Sequence, residues 1–205
     1  MSAQDLSPAW LAGDTEQRTR LLQGMGRALA ARGLANTTIA DVVREAGMSK
    51  RSFYEHFPNK EACFLALYAA AHGAALRTLK EAVQPDRPWL DQLEVAFEAY
   101  FSHLASGHLL LKVLFVDIHL LGPSGAVVRR GALDALTQFM CDTVNGPRRQ
   151  TSAGPSISPD LALAAIGGIN EWIMRSIERD EAASLPQMAP VACALVRALV
   201  PPAEG

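Results

Sequence analysis

One segment of the chain predicts two short helices joined by a tight turn. Thr38 and Asp41 have the spacing of a capping box, in which a hydroxyl residue is followed three residues later by an acid. Gly47 ends this first helix after about two turns, because glycine readily adopts the left-handed backbone that closes a helix. Ser49 can cap a second helix, and Pro58 stops it within about two turns because proline cannot continue a helix. The segment therefore has the outline of a helix-turn-helix.

The rest of the chain is also helical by its apolar pattern. Leu21, Leu22 and Met25 begin a stripe at helical spacing, whereas no run alternates apolar and polar residues long enough for a sheet. We therefore predict an all-α fold, with a three-helix N-terminal domain at residues 1–60 and a larger helical C-terminal domain at residues 61–205. The predicted helices cover residues 15–31, 38–46, 49–57, 60–83, 88–105, 108–121, 123–145, 159–179 and 187–200.

Length and composition restrict the class of protein. The chain has 205 residues, of which 49% are hydrophobic, enough to build a real core. Cys63, Cys141 and Cys193 are far apart and odd in number, so we expect neither a disulfide framework nor a metal-binding motif, and a cytoplasmic location fits best. The N-terminus carries acids and no apolar run, and charged residues or glycine interrupt the later apolar stretches. We therefore expect no signal peptide and no membrane span.

The charge balance is only weakly informative about a nucleic-acid partner. The formal net charge is −2, so nothing about the whole chain is basic. Residues 1–60 carry eight Lys and Arg against six Asp and Glu, a formal +2, and the remainder carries 11 against 15, a formal −4. The difference is small, but its sign places any DNA-binding face in the first third of the chain.

The second short helix has the chemistry of a recognition helix. Phe53 and Phe57 are four residues apart and can anchor one face in a core. The other faces carry donors that suit phosphates and base edges, namely Lys50, Arg51, Ser52, Tyr54 and His56. Two short helices around a glycine turn allow the second to enter a major groove while the first crosses the backbone.

Each of these residues has an ordinary alternative role. Arg44 beside Glu45, and Lys50 or Arg51 near Glu55, could simply form solvated pairs on a helix. Taken singly, exposed tyrosine and histidine residues are more often plain surface than ligands. The joint occurrence of caps, turn glycine and terminating proline in register is what favours DNA binding.

The helix-turn-helix segment resembles that of a known protein family. Residues 37–60, TTIADVVREAGMSKRSFYEHFPNK, resemble the DNA-binding motif of the tetracycline-repressor (TetR) family, and the likeness covers roughly residues 15–65. It implies that the first domain binds operator DNA and that the larger one binds an effector and dimerises. It also implies phosphate contacts by Thr38, Ser52, Tyr54, His56 and Lys60, and Ser49 joins this set as the cap of the recognition helix.

Base reading should differ from the usual family pattern. Family members often have a polar or basic residue where this chain has Ala40, whose methyl group cannot donate a hydrogen bond. We therefore expect Arg44, Lys50 and Arg51 to carry base recognition. The position of Arg51 is often a small residue in the family, so its guanidinium either reads a base or reaches a phosphate.

A specific operator requires more contacts than one such module offers, so we expect a homodimer. The stretch at 159–179 is apolar around most of its circumference and contains small residues that permit close approach. We predict that it pairs with the helix at 123–145 in a twofold four-helix bundle, as the resemblance also implies. The alternative is that both helices only fill the core of a monomer.

An effector pocket is also implied by the resemblance, and it should be apolar with a few polar groups. The candidate lining residues are Tyr68, His72, Phe97, Tyr100, Phe101, His103, Phe115, His119 and Trp172. Aromatic residues at these spacings are more often plain core, which is the alternative for each of them. The effector is a small molecule that the sequence does not name.

We expect no catalytic residues, cofactor or metal. His103 and His108 are five residues apart and Asp117 and His119 two apart, so neither pair shares a helix face as metal ligands would. The rival class is a small helical enzyme, but no pair at catalytic spacing, glycine-rich phosphate loop or nucleophile elbow supports it. A second alternative keeps the fold and makes the protein an activator or a partner-binding regulator.

Overall fold

The computed structural model describes residues 16–146 and 156–200. Within those residues every regular element is helical, as predicted. The elements in chain order are α1 (Glu16–Asn36), α2 (Ile39–Ala46), α3 (Lys50–His56), α4 (Lys60–Ala82), α5 (Trp89–Ser106), α6 (His108–Asp117), a 3₁₀ turn (Ile118–Leu121), α7 (Gly122–Asn145), α8 (Pro159–Glu178), a 3₁₀ segment (Ala182–Met188) and α9 (Ala189–Leu199). The N-terminal stretch expected to carry no signal peptide, and most of the loop between α7 and α8, lie outside the described residues.

The first helix breaks close to its predicted end, because Gly33 has the non-helical φ 70° and ψ 168°, and a short helical piece follows this kink as far as Asn36. One other prediction was wrong. The segment predicted as one helix at 108–121 changes from α-helix to a 3₁₀ turn after Asp117. Gly122, with φ 53°, then separates that turn from α7.

The described chain divides by its internal contacts into two compact units, and the functional division predicted at residue 60 stays a prediction. The first unit contains the residues up to Ala74 together with 109–129, and the second contains 75–108 and the residues from Arg130 onward. The first part of α4 belongs to the first unit, because Cys63, Phe64 and Leu67 are buried in the same core as α1 to α3. Part of α6 returns to that core as well.

The core of the first unit is formed where α1 crosses α2 and α3. Leu21, Leu22 and Phe53 are fully buried there. A Cβ atom on Gly24 would lie 2.6 Å from the Val42 carbonyl oxygen, so only glycine permits α1 to approach α2 this closely. This close crossing packs α2, the first helix of the helix-turn-helix, directly against α1.

The second unit has a separate helical core. Its α5 packs on the 3₁₀ segment and on α9, and α8 packs on both of these elements. The largest side chains buried there include Leu93, Phe101, Ile173 and Leu185. Because these residues come from different helices, the unit closes around its own apolar centre.

Three described helical stretches, Lys60–Ala82, Leu110–Asn145 and Ala182–Leu199, are long and apolar enough to cross a membrane by length and composition alone. Each stretch nevertheless contains charged residues, such as Arg77, Lys112 and Arg197, as expected from the sequence. In the fold these helices place large side chains in the protein core, as Phe64 and Leu79 do on α4. The absence of a membrane span stays a prediction.

Candidate nucleic-acid interface

The first helix of the helix-turn-helix begins at a complete capping box. The Asp41 N–H donates to the Thr38 hydroxyl (3.2 Å), while the Asp41 carboxylate accepts from the Thr38 N–H (3.0 Å) and from its hydroxyl (2.6 Å). Arg44 donates to the same carboxylate at 2.8 Å, and an Arg32 nitrogen lies 3.6 Å from it. The hydrogen bonds from Thr38, with those cations, hold the pKa of Asp41 well below its ordinary value.

The turn between the two helices is closed from both sides. Gly47 adopts the left-handed conformation, with φ 62° and ψ 40°, and the Met48 N–H reaches back to the Val43 carbonyl at 2.9 Å. The Arg20 guanidinium on α1 donates to the carbonyls of Ala46 (3.0 Å) and Gly47 (3.2 Å). A cation at the carbonyl end of α2 also complements the helix dipole.

The second helix is anchored by its aromatic residues, as predicted. Phe53 is fully buried and Phe57 nearly so, with ring centroids 5.7 Å apart. The Arg18 guanidinium lies 4.6 Å from the centroid of the Phe57 ring, a cation–π contact from α1. Ser49 caps the helix by accepting from the Ser52 N–H at 3.0 Å. The recognition helix is therefore short but fixed in orientation.

The outward face of α3 carries two cations and a phenol. Lys50 and Arg51 are exposed in the first turn, which has no acidic residue. Cations at the N-terminal end of a helix oppose its dipole, so they do not serve the stability of α3. Arg51 pairs with Glu55 at 3.3 Å, but its side chain is 92% exposed, and such a pair is weak enough to exchange for DNA. Tyr54 is 57% exposed beside these residues.

Two further predicted contact residues lie at the edges of this face. The His56 Nε2 atom lies 3.2 Å from the Gln17 Oε1 atom on α1. The Lys60 ammonium donates to the Leu34 carbonyl at 2.9 Å, which leaves other N–H donors of the same ammonium for a phosphate. Both side chains are thus oriented by the protein itself.

The structure separates the predicted DNA-contact residues into two groups. Lys50, Arg51 and Tyr54 are presented together on α3 with Ser52 beside them. Thr38 is different, because its N–H and its hydroxyl both donate to Asp41 and the capping box would have to open to free them. Arg44 is 56% exposed but bound to Asp41, so base reading by Arg44 also requires that pair to break.

Several residues that shape this site escaped the sequence analysis. Arg20 and Arg27 on α1 both donate to carbonyls near the end of α2, and Arg27 also lies near the Glu45 carboxylate. Asp117 accepts from the Leu34 N–H at 2.7 Å. The sequence signal for these residues was the surplus of Lys and Arg in the first third of the chain. We interpreted that surplus as charge for binding DNA, although several of these side chains hold the first unit together.

An apolar cavity of about 390 Å³ lies within the second unit. Phe97 and Tyr100 are the two predicted pocket residues that line it. Phe101, His103 and Trp172 belong to the same unit but do not line this cavity. The remaining lining residues are Leu79, Leu93, Leu136, Phe139, Met140, Ile166, Ile169 and Asn170.

The other four predicted pocket residues, Tyr68, His72, Phe115 and His119, belong to the first unit. The rings of Tyr68 and His72 stack with centroids 6.5 Å apart, and burial raises the pKa of Tyr68. His119 is exposed. A helical period tells which residues share a face but not which faces meet, so the grouping of all nine residues in one effector pocket stays a prediction.

The described residues contain no group of three or more His, Cys, Asp or Glu side chains placed to hold a metal ion. All three cysteines lie within the described residues, where they are buried and form no disulfide. Burial raises the pKa of the Cys63 thiol to about 12 and, with Glu94 and Glu98 adding to it, that of Cys193 to about 11. Neither thiol is therefore a ready nucleophile.

A short helix capped by a capping box, a left-handed glycine turn and an anchored second helix with outward cations define a helix-turn-helix DNA-binding module. Residues 25–67 match the family model described as bacterial regulatory proteins, tetR family. Over this segment, the chain is similar to the tetR family of bacterial regulatory proteins.

Individual relatives agree over the same end of the chain. The HTH-type transcriptional regulator YerO of Bacillus subtilis (strain 168) is 32% identical over 94 residues, covering 43% of this chain and 32% of that protein. The HTH-type transcriptional regulator TtgR of Pseudomonas putida is 37% identical over 57 residues, covering 28% of this chain and 27% of that protein. The chain thus spans about a third or less of these relatives' length.

The fold likeness extends further than the sequence likeness. The crystal structure of the transcriptional regulator FadR from Bacillus subtilis, in complex with stearoyl-CoA, superposes with a TM-score of 0.75 at 16% identity. It covers 86% of this chain and 96% of that one. At this identity the match shows that the helical fold of both units is shared.

Proposed function

We propose that this protein is a cytoplasmic, homodimeric transcriptional regulator that represses its target genes by binding operator DNA and is released by a small molecule. The observation that carries the proposal is the face of α3. Lys50, Arg51 and Tyr54 point outward while Phe53 is fully buried behind them, which is the arrangement a major-groove reader requires. The match of residues 25–67 to the tetR family model supports the same role.

In this proposal the contacts divide by chemistry. Lys50 reads a base edge, because it is exposed at the start of α3 and no acidic residue shares that first turn. Arg51 breaks its ion pair with Glu55 and binds DNA instead. Tyr54 and Ser52 donate hydrogen bonds to phosphates. Lys60 and His56 contact phosphates from the edges of the site. Arg44 and Thr38 act mainly on the protein side, through Asp41.

A dimer is the second part of the proposal, and exposed apolar residues indicate its surface. Leu161 and Leu163 on α8 are 41% and 42% exposed, and Val191 on α9 is 53% exposed. The predicted partner helix at 123–145 exposes apolar Val127 (65%) as well as polar Asp134 and Gln138. We propose that α8 pairs with its copy through Leu161 and Leu163, together with the helix at 123–145.

The experiment that tests the function is selection of genomic DNA fragments with the purified full-length protein. A single enriched sequence with twofold symmetry is expected, and binding is then measured by fluorescence anisotropy. Tyr54→Ala and Lys50→Ala should each weaken binding at least tenfold, whereas Lys112→Ala, an exposed lysine on α6, should not. Failure to enrich any sequence, or unchanged affinity in both α3 variants, would overturn the proposal.

Repression and activation are separated by transcription in vitro from the selected promoter. A repressor lowers the transcript when the dimer is added, and an operator that overlaps the polymerase site is then expected. A rise in the transcript would show an activator on the same fold.

A further inference from the structure

We propose that the cavity of the second unit selects an uncharged, mainly hydrocarbon effector. This inference rests on the proposed function, because it names the chemistry of the molecule that releases the DNA. The observation behind it is the composition of the wall: of the ten lining residues, only Tyr100 and Asn170 carry polar side-chain atoms, and none is Lys, Arg, His, Asp or Glu.

The cavity is assembled from four helices that each contribute one apolar face. Leu93, Phe97 and Tyr100 follow one another at helical spacing on α5, and Ile166 and Ile169 do so on α8. The remaining wall comes from Leu79 on α4 and from Leu136, Phe139 and Met140 on α7. All these elements belong to the second unit at the residues concerned, so the cavity is complete within it.

The apolar wall disfavours ligands that carry a charge. A carboxylate, phosphate or ammonium group that enters an apolar cavity loses its hydration, which costs several kcal/mol or more unless a protein charge replaces the water. The lining offers no such charge. His103 lies three residues beyond Tyr100 on α5, and burial lowers its pKa, so it favours the neutral form there. An ionic effector is therefore disfavoured whichever sign it has.

The size of the cavity restricts the ligand further. The enclosed space is small, which favours a compact ring system or a short chain. The Phe97 ring, stacked on Phe101 with centroids 6.0 Å apart, gives the wall a rigid aromatic surface. Met140 is the adaptable part, because its unbranched thioether can adjust to the ligand outline.

A pair of matched fluorescent probes tests the charge selection on the full-length wild type. N-phenyl-1-naphthylamine is neutral, and 8-anilino-1-naphthalenesulfonate is the same ring system with a sulfonate. We expect saturable binding of the neutral probe, at least tenfold tighter than that of the sulfonate. Equal or tighter binding of the sulfonate would overturn the proposal, and this comparison depends on no variant folding.

Two variants locate the binding. Ile169→Phe should fill the cavity and weaken the neutral probe at least tenfold, while Val95→Phe, on an exposed position of α5, leaves it unchanged. Unchanged probe affinity in Ile169→Phe would refute the site.

Operator binding without probes is measured in parallel. Loss of DNA binding by the wild type would refute the proposed function, whereas intact DNA binding with no selective probe binding would refute only this inference.

Discussion

The carboxylate of Asp117 lies 2.7 Å from the backbone nitrogen of Leu34, which ties the end of α6 to the residue after the kink of α1. The carbonyl of the same Leu34 accepts from the Lys60 ammonium. The Thr37 hydroxyl donates to the Gly33 carbonyl at 2.7 Å, which fixes the other end of the segment 33–37. This segment is followed directly by Thr38, the cap of α2. Contacts from α4 and α6 therefore help to position the start of the helix-turn-helix.

The Asp117 contact predicts a loss of stability that one conservative variant repairs. Asp117→Ala leaves the buried Leu34 N–H without its carboxylate and should lower the free energy of unfolding by about 1–3 kcal/mol. Asp117→Asn should recover much of this loss, because its amide oxygen still accepts. Urea denaturation gives the free energy, and hydrogen exchange of the Leu34 amide reports the contact directly. The exposed His119→Ala is the control, and identical exchange in wild type and Asp117→Ala would contradict the assignment.

Gly24 and Gly131 predict opposite results for the same substitution. Gly24→Ala should destabilise the first unit by about 1–3 kcal/mol, because the new methyl group would lie 2.6 Å from the Val42 carbonyl oxygen. Gly131→Ala, within α7 and with no atom within 4 Å of the new Cβ, should stabilise by up to about 1 kcal/mol through helix propensity. Thermal unfolding followed by circular dichroism compares them. A shift of the same sign in both variants would show that the close crossing does not control stability.

Asp41 predicts a pH-dependent contribution to folding. Its folded pKa lies below the unfolded value of about 3.9, so its stabilisation is fully present above that pH and decreases as the pH falls through it toward the folded pKa. Urea midpoints of wild type and Asp41→Asn should therefore differ clearly at pH 7 and converge as the pH falls below about 4. Asp86→Asn, in the exposed loop before α5, should show no such gap. A constant gap across this range would contradict the capping role.

Lys50 predicts a change in salt dependence and in base preference. If the ammonium reads a base, Lys50→Ala should reduce discrimination at one operator position by about 1–3 kcal/mol. If it instead neutralises a phosphate, affinity should fall uniformly and the slope of log K against log salt should decrease by about one. Binding to single-base operator variants at several salt concentrations separates the two. An unchanged slope and unchanged preferences would remove Lys50 from the interface.

The exposed leucines of α8 predict that one charge disrupts the dimer. Leu163→Glu should raise the dimer dissociation constant at least about 100-fold, since each copy would bury a carboxylate against its partner. Val95→Glu has a similar exposure on α5 and serves as the matched control. Sedimentation equilibrium measures the assembly. A wild type that is monomeric at micromolar concentration would refute the dimer before either variant is made.

How much of the fold was predictable depended on the range of the interactions. The caps of α2 and α3 and the turn at Gly47 depend on residues within a few positions of one another, and they were predicted. Gly24 against Val42 and Asp117 against Leu34 join residues 18 and 83 positions apart, and no local signal marks them. The excess of Lys and Arg in the first third of the chain was misleading for the same reason. Arg20 and Arg27 donate to backbone carbonyls of the protein itself.

The discontinuous first unit has a consequence for protein engineering. A chimeric regulator that exchanged only the residues up to 60 would divide one core, leaving Phe64 and Leu67 to pack on foreign helices. It would also separate Leu34 from Asp117. A transplantable DNA-reading module from this chain must therefore carry the segment 109–129 with it, so the exchange has to be made at two places along the gene.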